Sequence, residues 1–140
     1  MLFFASDHAA VELKTSLYSY AHAKKIEVQD FGPSHTHCVD YPDYANKLCE
    51  AMINNPCAKG ILICGSGIGM SIAANRYRHI RAALVHDARV AKLARLHNNA
   101  NVLCFGSRVI DDAIAKDMLD IFLETDFEGG RHQRRVDKLS

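Results

Sequence analysis

Short apolar runs alternate along the chain with segments whose apolar residues recur every three or four positions. Leu2 to Ala5 is one such run. Ala10, Leu13, Leu17 and Ala21 then repeat at helical spacing until Lys24-Lys25 closes the segment, which predicts a strand followed by a helix. Ile26 to Phe31 alternates apolar with polar residues and stops at Gly32-Pro33, a second strand. Ala45 to Asn54 predicts a helix ending near Asn55-Pro56, and an exposed His-rich loop joins it to that strand. Ile61-Leu62-Ile63-Cys64 is apolar without alternation, as a strand covered on both faces must be, and Gly65-Ser66-Gly67-Ile68-Gly69 follows at once. Two more strands, Ala82 to Val85 and Val102 to Phe105, bracket a helix with Val90, Leu93 and Ala94 on one face. Ile110, Ile114, Met118 and Ile121 stripe a last helix. Strands alternating with helices predict an α/β fold, a doubly wound three-layer sandwich around a parallel sheet of about five strands.

The chain has 140 residues, 49% of them apolar and 24% charged, without linker, repeat or low-complexity segment. Residues 1–140 are thus read as one domain, against a usual size of about 150 residues. A net charge of +1 excludes a generally basic nucleic-acid coat. No apolar run reaches the about 18 residues of a membrane span, and the start turns acidic at Asp7 too early for a signal peptide, so a cytoplasmic location is expected. Five cysteines, at 38, 49, 57, 64 and 104, are odd in number and form no close metal-type pair, which argues against a disulfide scaffold. One local excess stands out: Arg131, Arg134, Arg135 and Lys138 against Asp137.

In an open parallel sheet, ligands bind beyond the carboxyl ends of the strands. Asp7-His8, Cys64 to Gly67, His86-Asp87 and Gly106-Ser107-Arg108 all follow strands and are expected near one rim. The glycine turn has G-x-G-x-G and not G-x-G-x-x-G spacing, a poor dinucleotide fingerprint. Its glycines either only permit a tight strand-to-helix turn or let successive backbone N–H groups face an oxyanion. Cys64 is either an inert buried thiol or, beside a helix start that stabilises a thiolate, a base or nucleophile. The other four cysteines lack that setting.

His97 continues the stripe of Val90, Leu93 and Ala94, so it is either a core histidine or, with Asn98, a proton donor and amide at a ligand. Asp7 reads as a helix N-cap or, beside His8, as a site carboxylate. Arg131 and Arg135, four apart, form a solvated face or a phosphate clamp. His35 and His37 lack a third ligand at metal spacing, and no metal is expected.

Ser6-Asp7-His8-Ala9, Val39-Asp40-Tyr41-Pro42, Gly60 to Asn75, Leu96-His97-Asn98, Asn101-Val102-Leu103 and Gly129-Gly130-Arg131-His132 occur in this order. Together they closely resemble the type B ribose-5-phosphate isomerases, whose wider family includes galactose-6-phosphate and allose-6-phosphate isomerases. The resemblance runs from about residue 2 to residue 138. It implies a Rossmann-like fold, a homodimer or homotetramer with sites built from two chains, and neither metal nor redox cofactor.

The resemblance further makes Cys64 the base that moves a proton between carbons 1 and 2 of the open-chain sugar, with Ser66 beside it. Backbone amides from Gly65 through Gly67 to Gly69 would stabilise the enediolate. His97, with Asp7 and Asn98, would open the furanose ring, and Tyr41 would line the sugar site. His8, Arg108, Arg131 and Arg135 would hold the phosphate. The loop from Ser34 to Val39 departs from the family pattern, which leaves a six-carbon sugar phosphate as an alternative substrate. A non-catalytic sugar-phosphate sensor is the reading from another class.

Overall fold

In the computed structural model, which describes residues 1–139, five strands form one sheet in the order β2-β1-β3-β5-β4 with every neighbouring pair parallel. The strands are β1 (Leu2–Ser6), β2 (Val28–Asp30), β3 (Lys59–Cys64), β4 (Ala82–Leu84) and β5 (Val102–Gly106). The helices are α1 (Val11–Ala23), α2 (Tyr41–Ile53), α3 (Ile68–Ala74), α4 (Ala88–Asn98), α5 (Asp112–Glu124) and α6 (Gln133–Asp137). The central strands β1, β3 and β5 are the unbroken apolar runs, buried on both faces apart from Lys59.

Side chains sort by parity, because successive residues of a strand point to opposite faces. Leu2, Phe4, Ile61, Ile63, Leu103 and Phe105 pack with Leu17 of α1, Ala91 of α4 and Ala115 of α5. Phe3, Ala5, Leu62, Cys64 and Cys104 pack with Leu48 of α2 and Met70 of α3. From β1 the chain winds one way to β2 and the other way to β3, and this reversal leaves a crevice beyond the carboxyl ends of β1 and β3. Each connecting helix returns the chain from that carboxyl edge to the opposite, amino edge.

Three local readings of the sequence change. α2 begins at Tyr41, ahead of the expected Ala45, because Pro42 sits in its first turn, where a missing N–H costs nothing. Val90 and Leu93 do not face the core and are 38% and 37% exposed. α4 turns Ala91, Ala94 and Arg95 inward instead. Small alanines let the helix approach the sheet. Arg95 is accommodated because Nε donates to the Thr125 carbonyl at 3.0 Å and Nη1 to the Ala100 carbonyl at 2.6 Å. Ile114 is likewise exposed, with Ala115, Met118, Leu119 and Phe122 forming the buried stripe of α5.

Lys14 of α1 is a buried cation, 1% exposed. Its Nζ donates to Asp30 Oδ1 at 2.7 Å and to the Pro33 carbonyl at 2.6 Å, tying the end of β2 to the turn that leads toward α2. Lys14→Met is expected to destabilise the fold by about 2 kcal/mol, since it strands a partly buried carboxylate and a carbonyl without their donor. Urea unfolding at fixed protein concentration measures the loss; an unchanged midpoint would show that the pair contributes no net stability.

Candidate functional site

The carboxyl edge gathers the residues that follow the strands. Gly67 takes a left-handed backbone, φ 80°, and a Cβ there would lie 2.7 Å from backbone atoms of Phe105, so only glycine fits this turn. The turn folds the Gly67 N–H back onto Cys64 Sγ at 3.1 Å, and the Ile68 N–H onto Ser66 Oγ at 3.2 Å. Two of the loop amides expected to face an oxyanion are thus engaged by the thiol and the hydroxyl. That donor holds the sulfur against the turn. Cys64 is 5% exposed.

Neighbouring strands hold this loop in place. The Ser107 N–H donates to the Cys64 carbonyl at 2.8 Å, the Arg108 N–H to the Gly65 carbonyl at 3.1 Å, and the Asp7 N–H to the Ile63 carbonyl at 3.0 Å. The Arg108 guanidinium lies over Gly65, with Nη1 3.1 Å from where a Cβ would stand, and the Tyr41 ring covers Gly69 at 2.6 Å from the corresponding point. A Cβ on Gly106 would meet the Gly65 carbonyl oxygen at 2.5 Å and Ser66 backbone atoms at 2.6 Å. Gly106→Ala is therefore expected to push the loop carrying Cys64 and Ser66 aside. The loss in kcat/KM is about 100-fold for a displacement of about 1 Å, against an overpacking cost of about 1–3 kcal/mol in stability. Steady-state kinetics beside thermal melts separate the two, and near-native kcat/KM would show that the loop can yield.

Asp7 and His8 complete this edge. Asp7 caps the turn after β1, Oδ1 accepting from the Ala9 N–H at 2.9 Å. His8 Nδ1 accepts from the Val39 N–H at 3.2 Å, and its Nε2 faces Cys38 Sγ at 3.7 Å. The departing loop from Ser34 to Val39 thus rests directly on His8, a contact that spacing along the chain did not foreshadow.

The remaining candidates lie at the other end of the sheet. α4 returns to the amino edge, where Asn99, left-handed at φ 47°, ends it, so His97 and Asn98 sit far from the carboxyl ends of β1 and β3. α5 makes the same return, and the chain after it packs against the end of α4: the Glu128 N–H donates to the Leu96 carbonyl at 3.1 Å. The His132 ring stacks on His97, centroids 4.3 Å apart and planes 14° from parallel. Partial burial, with His97 and Arg131 adding their charge, holds the His132 imidazole below its ordinary pKa. Arg131 and Arg135 follow on the same terminal turns. Asn98 lines a groove of about 450 Å3 with Asn75, Arg76 and Arg81. One chain therefore carries two groups of candidate residues at opposite edges: Asp7, His8, Tyr41, Cys64 to Gly69 and Arg108 at one, and His97, Asn98, Arg131 and Arg135 at the other.

The other thiols have different settings. Burial pushes Cys49 up to about 12 and Cys104 well above its ordinary value, while Cys38 and Cys57 are exposed. Sequence reasoning gave no role to Glu128 and His132, although His132 stands inside the Gly129-Gly130-Arg131-His132 block.

The profile of the ribose/galactose isomerase family matches residues 2–139. Ribose-5-phosphate isomerase B of Escherichia coli is 41% identical over 137 residues, 98% of this chain and 92% of that protein. A crystal structure of a ribose 5-phosphate isomerase from Thermotoga maritima superposes with a TM-score of 0.96 at 51% identity, covering 99% of this chain and 95% of the other. The ribose-5-phosphate isomerase B of Mycoplasma genitalium, solved with bound ribulose-5-phosphate, gives 0.95 at 44% identity over 99% and 92% of the two chains.

Proposed function

The chain belongs to the ribose/galactose isomerase family, and from that premise we propose that it interconverts ribose 5-phosphate and ribulose 5-phosphate with Cys64 as the base. Membership makes it an aldose–ketose isomerase of sugar phosphates. The observation that carries the role of Cys64 is the Gly67 N–H aimed at its sulfur at the switch point of the sheet. In the open-chain sugar, the thiolate takes the proton from carbon 2 and returns it to carbon 1, while a hydroxyl proton passes from the oxygen on carbon 2 to that on carbon 1. The reaction is an internal redox exchange, balanced without an added oxidant or reductant. Ser66, Tyr41 and the loop amides other than those of Gly67 and Ile68 hold the sugar and its enediolate.

Ring opening needs a proton on the ring oxygen and one removed from the hydroxyl on carbon 1, the role we give to His97 with Asn98 and Asp7. Because His97, Asn98, Arg131 and Arg135 stand at the amino edge, a site that also contains Cys64 draws them from a second copy of the chain. His8 and Arg108 from one copy and Arg131 and Arg135 from the other would then hold the phosphate. Ile68 and Ile72 on α3, 53% and 55% exposed, supply apolar surface for that association. Among the described residues, no helix is long and apolar enough to cross a membrane.

Turnover of ribose 5-phosphate beside allose 6-phosphate, without added metal, tests this reading. A higher kcat/KM for ribose 5-phosphate is expected. Preference for the hexose would keep the chemistry and reassign the loop before Tyr41 to a longer sugar, and no turnover of either would remove the reading.

A further inference from the structure

We infer that His97, Glu128 and His132 form a binding site for a divalent transition-metal ion of the zinc class. Each of the three offers a ligand atom, and the three atoms lie within 4.8 Å of one another. The Glu128 carboxylate stands before both rings, with Oε2 3.9 Å from His97 Nε2 and Oε1 3.9 Å from His132 Nε2. These gaps are too wide for hydrogen bonds. They exceed by only about 0.5 Å the ligand–ligand separation around a tetrahedral zinc, whose bonds are about 2.0–2.2 Å. Two imidazoles and one carboxylate form a donor set suited to zinc, with a fourth position left open.

Protonation and mobility favour the same site. Arg131 Nε donates toward His132 Nε2 at 3.5 Å, so this nitrogen is unprotonated, and an ion takes over its one lone pair by displacing that long hydrogen bond. His132 is held by burial, 7% exposed, whereas His97 occupies the last turn of α4 with a side chain 38% exposed and can tilt out of the stack to converge on an ion. The guanidinium of Arg131, and Arg135 one turn on, oppose the cation's charge and favour an anion in the open position. A metal-bound Nε2 carries no exchangeable proton. Resting on the role proposed for His97 above, occupancy of this site therefore blocks ring opening, and the ion acts as an inhibitor and not as a cofactor.

The test uses the full chain in a Cys38→Ser/Cys57→Ser background, which removes the exposed thiols, including the one beside His8. Calorimetric titration with zinc chloride, and visible absorption with cobalt(II), are expected to show one ion per chain in four-coordinate surroundings. Glu128→Gln and His132→Asn should each weaken binding by about 100-fold or more, since even outer-shell losses cost 10–100-fold. Glu128 is exposed, so its substitution leaves the fold intact. The Glu128→Gln protein should turn over without metal and resist zinc concentrations that stop its parent. No binding, or binding that both substitutions leave unchanged, would overturn the site. Binding that depends on Glu128 and His132 without loss of turnover would uphold the site and remove His97 from the ring-opening role instead.

Discussion

Cys64→Ala is expected to lower kcat by about 10³-fold, within the range of a lost general base, equivalent to about 4 kcal/mol of barrier. The change removes one sulfur from the end of β3 and leaves the Gly67 N–H without its acceptor. The neighbours that set the loop are backbone groups that follow β1 and β5, the strands on either side of β3, and these do not change. Binding of a sugar phosphate should therefore stay close to that of the parent, and the thermal melt should fall by only the few degrees that one stranded N–H costs, which separates lost chemistry from lost structure. Cys64→Ser, with a far less acidic group in the same place, should fall nearly as far. A Cys64→Ala protein that turns over at near the parent rate would move the base to another residue. Burial of Cys49 and Cys104 leaves neither as a substitute.

Mixing two inactive variants is expected to restore activity. If each site takes Cys64 from one chain and His97 from another, Cys64→Ala and His97→Asn are both silent as pure proteins. Random reassortment of a symmetric pair makes about half of the assemblies mixed, each with one intact and one doubly altered site, so about a quarter of parental turnover should return. Turnover that stays at the level of the pure variants after full subunit exchange, followed by a mass label, would show that no site combines Cys64 of one chain with His97 of another. The result would also disprove the assignment of His97, because its edge of the sheet cannot reach Cys64 in the same chain.

Much of the α/β architecture was legible because β1, β3 and β5 are unbroken apolar runs and the glycine loop follows one of them directly. Their carboxyl ends were legible for the same reason. What spacing could not give is the order of strands. Placing β5 between β3 and β4 depends on the direction in which α4 crosses, and apolar periodicity carries no direction. The inner face of α4 was also misjudged: Val90 and Leu93 are the larger apolar residues, but close approach to the sheet selects Ala91 and Ala94, and Arg95 enters because its donors find carbonyls. The pairing of Glu128 and His132 with His97 spans about thirty residues. It arises because α4 and α5 both return to the amino edge, a fact of three dimensions with no local mark in the chain.

The loop from Ser34 to Val39 touches the site through His8 while most of it lies exposed, whereas the glycine loop is locked by the backbone of its neighbours. These two parts of the carboxyl edge therefore differ in how much variation they tolerate. On the site proposed above, a directed-evolution library confined to Ser34 through Val39 is expected to change sugar length and stereochemistry without disturbing the loop that carries Cys64, and the same asymmetry would make this loop the place where new substrate ranges arise on this scaffold.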